Sequence, residues 1–278
     1  MRAAAAALAV AAAALCAACG NRAPLHDRPA PPAEAVIHAG LHHLTDGDLD
    51  RAEDCFRRGL AASSARDHRE GRAVCLYNLG IVHRQAGELE EALGELQLAE
   101  EIFRAIEDRE GTARALTAQA TVLRLKGLPG EARRRFEKAL SAAPDGVSAE
   151  VLASLAMLHL ESGDSAAALS LAEEAVDRSR SEVALADSLF NLGRVYLEIG
   201  DYRRSRNALQ RALELDRAHG RRRQLAGTLS LLGLVAARRG DASEARDYHL
   251  RAATVWESLG ADDRARASRE AAGEATSR

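Results

Sequence analysis

The chain has 278 residues, of which 47% are hydrophobic but only 3% aromatic, and its formal net charge is −3 with 28% charged residues. That balance gives no electrostatic case for nucleic acid, and the shortage of aromatic and β-branched residues argues against a sheet protein. The apolar content, rich in alanine, is enough for a sizeable helical core.

Read from the N-terminus, Met1-Arg2 precedes AAAAALAVAAAAL, a 13-residue uncharged run that ends before Cys16-Ala17-Ala18-Cys19-Gly20. A membrane-crossing helix needs about 20 apolar residues. The run has instead the proportions of a secretory leader, and residues 1–18 are expected to be a signal peptide. Cys16 and Cys19 form a literal C-x-x-C, but no second cysteine pair or neighbouring βαβ pattern supports a redox or zinc site. Leu15-Cys16-Ala17-Ala18-Cys19 resembles a bacterial lipobox, departing from it at Cys16, where an aliphatic residue is usual. The resemblance implies lipidation of Cys19 and a place in the bacterial cell envelope facing the periplasm. Because Gly20 is not aspartate, the outer membrane is favoured over the inner. A cleaved leader without lipid is the alternative. Residues 19–33, with four of the six prolines, read as a semi-extended tether.

From residue 34 onward the chain repeats itself. Gly47-Asp48, Gly87-Glu88, Gly127-Leu128, Gly163-Asp164, Gly200-Asp201 and Gly240-Asp241 lie at spacings of 40, 40, 36, 37 and 40 residues, a period that signals stacked units. Seven residues before each glycine stands Gly40, Gly80, Ala120, Ala156, Gly193 or Gly233. Five after it stands Ala52, Ala92, Ala132, Ala168, Ser205 or Ala245, and twelve after it a glycine or alanine. Eleven before it stands Val36 or a leucine. Small residues at matched stations let two helices approach closely, the glycine permits a left-handed corner, and the acidic neighbour can cap the next helix. These columns predict an all-α solenoid of about six antiparallel helix pairs over residues 34–260. The tail, 261–278, is expected to be a capping helix, placed over 261–271, or a disordered end.

Leu189, Leu192, Gly193 and Tyr196, the A-x3-F steps Ala52-Phe56 and Ala132-Phe136, and Pro144 resemble the tetratricopeptide repeat. The tryptophan position is aliphatic throughout, and the tyrosine position also holds His43, His83, Leu123, His159 or Ala236. The resemblance implies a superhelix whose first helices line a concave groove that binds an extended protein segment. Carried onto this chain, it puts Tyr77, Asn78, Phe190 and Asn191 in the groove. By the same register Arg84, Arg114, Arg124, Arg194 and Arg238 point inward, interspersed with Glu150, Glu161, Asp187 and Glu198. Ile37 and Leu41 stand where a carboxylate clamp would need polar side chains, so recognition of a C-terminal carboxylate is not expected.

No signature of nucleotide binding, serine hydrolysis or zinc proteolysis occurs. His38 and His42 lie four apart, the spacing of two metal ligands on a helix, but His43, His83 and His159 share one packing slot. No metal, cofactor or small-molecule substrate is expected. Cys55 and Cys75 read as small buried hydrophobes, with a disulfide as the alternative. The expectation is a non-enzymatic scaffold for another protein, an envelope-complex component, anchored by lipid. A cytoplasmic regulatory or chaperone module is the alternative.

Overall fold

The computed structural model describes residues 33–275, apart from the side chain of Asp145; the expected signal peptide and most of the expected tether lie outside them. The described residues form thirteen helices and no strand. In chain order these are α1 (Ala33–Asp46), α2 (Leu49–Ala65), α3 (Arg69–Ala86), α4 (Leu89–Ala105), α5 (Arg109–Leu125), α6 (Pro129–Ala142), α7 (Asp145–Glu161), α8 (Ser165–Arg178), α9 (Glu182–Glu198), α10 (Tyr202–Ala218), α11 (Arg222–Arg238), α12 (Ala242–Ser258) and α13 (Asp262–Glu274). Each helix packs on the next, and α1 to α12 make six hairpins. The expected all-helical solenoid is what the chain builds. The last helix packs on α12 and extends beyond the 261–271 stretch.

Every hairpin corner is a glycine in the left-handed region, with φ between +75° and +88°. The following amide donates back to the carbonyl of the tyrosine-slot residue, from Asp48 to His43 at 2.9 Å through Asp241 to Ala236 at 3.0 Å. This Schellman closure satisfies a carbonyl that the helix end leaves free. Asp48, Asp164, Asp201 and Asp241 accept from backbone amides three residues on, so four corners are capped by their aspartate. Glu88 makes no such bond, and at Leu128 the entry is set instead by Pro129.

The unequal spacing has a local cause. Second helices α2, α4, α10 and α12 have 17 residues, whereas α6 and α8 have 14. The difference is close to one turn, so the buried face keeps its orientation. The longer helices end in a second left-handed residue, at Asp67, Glu107, Gly220 and Gly260, while the shorter ones leave through extended Ala143 and Ser179.

The small-residue columns form the seam within each pair. The alanines and Ser205 of the first column after the corner are fully enclosed. A Cβ added at Gly80 would lie 2.5 Å from Leu96 Cγ, at Gly193 2.6 Å from Leu209 Cγ, and at Gly40 or Gly233 2.7 Å from the ring of Phe56 or His249. The residue nine after the corner therefore fills the space that the residue seven before it gives up. Ser205 Oγ donates to the Gly193 carbonyl at 2.7 Å and ties the fifth seam across the pair.

Candidate protein-binding groove

Between units, the close backbone contacts beyond chain neighbours run from first helix to first helix: α1 to α3, α3 to α5, α5 to α7, α7 to α9 and α9 to α11. The first helices therefore form the inner side of the curve. Position along them is set by distance from the corner. Arg114, Glu150 and Asp187 each stand thirteen residues before it; Arg84 and Arg124 stand three before, and Glu161, Glu198 and Arg238 two before. At 1.5 Å per residue the two charged levels are about 15 Å apart. Tyr77, Asn78, Ser154 and Asn191 fall in the belt between them.

Three cavities open along this side. One of about 360 Å³ is bordered by Leu41, Tyr77, Asn78, Glu110 and Arg114. A second of about 390 Å³ is bordered by Glu150, Ser154, Asp187, Phe190, Asn191 and Gln224. The third, about 420 Å³, lies between α11 and α13, with Leu234, Arg238 and Ala271 on its walls.

The groove is narrow enough for opposite walls to feel each other. Burial pushes the Tyr77 hydroxyl up to about 12, helped by Glu150 and opposed by Arg114 and Arg84. Burial, and then the like charge of Arg124, lower Arg84; the same two causes lower Arg194. Burial raises the Glu150 carboxyl, with Asp187 and Glu110 adding to the effect and Arg114 and Arg84 working against it. Glu150 has much of its surface open to water, but the walls crowd round it closely enough to set that direction. A carboxyl whose folded value is raised contributes stability only below the unfolded value and loses it as pH rises through the folded one. Glu150→Gln is therefore expected to raise the melting temperature at pH 7 and to have no effect once pH falls below the ordinary carboxylate range; a pH series of thermal melts checks this.

Some of these charges are already engaged. Arg124 pairs with Glu161 at 2.5 Å and Arg114 with Glu110 at 2.8 Å. Arg221 bridges Asp187 and the buried Asp216, at 3.2 Å to the latter, and donates to the Val183 carbonyl at 3.1 Å. Among the described residues Arg84, Arg194 and Glu150 have no ion-pair partner within 4.0 Å.

The predicted asparagines are less available than the register suggested. Asn78 is 6% exposed and its Nδ2 donates to the Val74 carbonyl at 2.8 Å. Asn191 is half-buried and donates to the Asp187 carbonyl at 3.1 Å. Each spends one N–H on its own helix, a habit of short polar side chains. Tyr77 and Phe190 are half-buried and pack against the apolar clusters between units, so their rings are as much mortar as lining. Arg238 borders the terminal cavity, apart from the other arginines.

The remaining candidates lie off the groove. His83 is buried with Nδ1 2.8 Å from Glu95 and Nε2 3.5 Å from Glu53, while His42 faces Asp46 at 2.9 Å. No group of three or more metal-ligating side chains converges among the described residues. Cys55 and Cys75 are buried free thiols.

Two features went unread in the sequence. One is the Asp216 and Gln224 wall of the second cavity, with Arg221 paired to Asp216 behind it. The other is Arg223, at the start of α11, whose guanidinium lies where a side chain on Gly47 would be, so the first corner touches the sixth unit. Burial lowers Arg223, as does the neighbouring charge of Arg264, against the attraction of Asp46.

The tetratricopeptide repeat profile matches residues 33–105, 85–145, 112–181 and 147–218, and a second profile of the same repeat matches 190–268. The chain belongs to the tetratricopeptide repeat family. No curated protein matches it. Among solved structures of the same architecture is the Rap conjugation gene regulator of plasmid pLS20 in complex with the Phr* peptide. It is 14% identical, with a TM-score of 0.64 over 92% of this chain and 80% of that one. A Rap protein complexed with competence and sporulation factor is 13% identical, with a TM-score of 0.63 over 87% and 74%. The apo quorum sensor NprR from B. thuringiensis is also 13% identical, with a TM-score of 0.57 over 87% and 75%. At these identities the likeness is one of fold. It fits a tetratricopeptide stack with long units.

Proposed function

We propose that this tetratricopeptide repeat protein is a non-enzymatic scaffold that holds an extended segment of another protein along its inner groove. The observation that carries the reading is the inner side itself: cavities lined by apolar side chains with polar groups among them, and the half-buried Arg84 and Arg194 and the more open Glu150, which have no ion-pair partner within 4.0 Å among the described residues. A half-buried charge without a partner costs free energy, and a bound chain that answers it turns part of that cost into affinity. Two solved structures of similar fold are complexes, one with the Phr* peptide and one with competence and sporulation factor.

We further propose that Cys19 carries lipid and holds the scaffold in the bacterial envelope, on the periplasmic side, at the outer membrane before the inner. The support is the sequence alone, the leader-like run after Arg2 and the lipobox-like Leu15-Cys16-Ala17-Ala18-Cys19. That structures of similar fold include a conjugation gene regulator and a quorum sensor favours a second reading, a cytoplasmic regulatory module.

Two measurements decide these points. In bacteria fed labelled palmitate, the protein is expected to take up label and to accumulate as an unprocessed precursor under globomycin. Cys19→Ala is expected to abolish the label, and an unlabelled, unprocessed soluble protein would remove the envelope proposal. Partner capture from crosslinked membranes is expected to fall at least tenfold in Arg84→Glu/Arg194→Glu; undiminished capture would count against the groove.

A further inference from the structure

The groove's charges, three of them without an ion-pair partner among the described residues, are also unevenly sorted along it. At the level three to six residues before the corner, Arg84 and Arg194 sit on either side of the Arg124–Glu161 pair, and Arg124 is a like charge felt by both. At the level thirteen before it, Glu150 and Asp187 share the 390 Å³ cavity with the amides of Asn191 and Gln224. Arg221 is committed to Asp187 and Asp216, and Arg114 to Glu110, which leaves Glu150 without a paired cation at that level among the described residues. The inner side is thus polarised obliquely, anionic near the start of α7 and α9 and with an excess of cations towards the helix ends, where Arg84, Arg124 and Arg194 outnumber Glu161 and Glu198.

We infer that the occupant is an extended peptide segment bearing one cationic and one anionic side chain four or five residues apart, the cation in the Glu150 cavity and the anion between Arg84 and Arg194. The inference rests on the groove reading above. The spacing follows from geometry: the levels differ by seven to ten helical residues, about 10 to 15 Å, and an extended chain advances about 3.3 Å per residue. Lateral displacement from the α7–α9 wall to the α3 wall takes up the remainder. Charge placement of this kind supplies register, since a segment shifted by two residues loses both pairs. The belt between the levels, Tyr77, Ser154 and Asn191, offers aromatic surface and hydrogen-bonding groups to any backbone and so adds little choice of its own.

Selection from a random ten-residue phage-displayed library against the purified full chain tests this. Enriched peptides are expected to pair Lys or Arg with Asp or Glu at a separation of four or five. Synthetic members lacking either charge should bind about tenfold more weakly, the effect of losing one charge-assisted contact. Arg84→Glu/Arg194→Glu should redirect selection to peptides with two cations, and Glu150→Lys to peptides with two anions, with circular dichroism confirming that both variants are folded. Enrichment of peptides without the charge spacing, or a preference that the inversions leave unmoved, would overturn the inference and leave the groove reading standing. No enrichment at all would sink both.

Discussion

Gly193→Leu is expected to lower the free energy of unfolding by about 3 kcal/mol, the upper end of what overpacking a close-packed seam costs. A Cβ at this position would already lie 2.6 Å from Leu209 Cγ and 2.7 Å from its Cδ2, and Leu209 is completely buried. The helices cannot slide apart to make room, because Ser205 is bonded to the Gly193 carbonyl and Ala208 and Ala212 fill the adjoining layer. Leu209→Ala in the same chain should return part of the loss, a coupling above about 1 kcal/mol in a double-mutant cycle. Gly94 is the control: it lies inside α4 with nothing within 4 Å of an added Cβ, so Gly94→Ala should stabilise by about 0.5–1 kcal/mol. Urea unfolding followed by circular dichroism reads the wild type and the four variants, Leu209→Ala alone among them. Similar small effects at both glycines would show that the seam is not what excludes bulk.

Glu100→Ala is the second large effect, a loss of about 3 kcal/mol, the lower end for breaking a buried ion pair because the cations around it are partly exposed. Glu100 is 4% exposed at the contact of α4, α5 and α6. It accepts from Gln119 Nε2 at 3.0 Å and Lys138 Nζ at 3.1 Å, pairs with Arg104, and has Arg135 at 3.6 Å. Gln119 is itself fully buried, so removing the carboxylate takes one of the two acceptors from its amide and leaves only the Leu96 carbonyl at 3.0 Å. Burial pushes the Glu100 carboxyl up, but the bonds from Gln119 and Lys138 and the charges of Lys138 and Arg104 together hold it below its ordinary value. A depressed folded value means stability that is fully present above the unfolded carboxylate value and is lost as pH falls through the folded one. The gap between wild type and Glu100→Ala should therefore be widest at neutral pH and close in strong acid. A gap independent of pH would rule out the charge as its source.

The fold was legible because packing against a backbone is position-locked. Each corner glycine is held by its left-handed backbone, and each residue seven before it or five after it by the little room the seam leaves, and six copies of that constraint stand out even in an alanine-rich chain. The level of each groove charge was legible for the same reason. What the side chains do there was not: whether Asn78 offers its amide to a ligand or to Val74 is a choice of torsion angle that spacing does not encode. The Glu100 site left a trace that went unused. Its slot, thirteen after the corner, otherwise holds Leu60, Leu140, Val176, Leu213 and Ala253, and the slot of Gln119 otherwise holds Ala39, Leu79, Leu155, Leu192 and Leu232. Two polar exceptions in apolar columns of neighbouring helices proved to be partners. The second cavity's Asp216 left no comparable mark, since its column runs from Ser63 through Phe103 to Trp256.

An open array of stacked units tolerates gain or loss of a member, because each touches only its neighbours. The guanidinium of Arg223, beside Gly47 and drawn by Asp46, skips the four units between, so a chain with one hairpin more or fewer would forfeit that one touch while keeping its stacking.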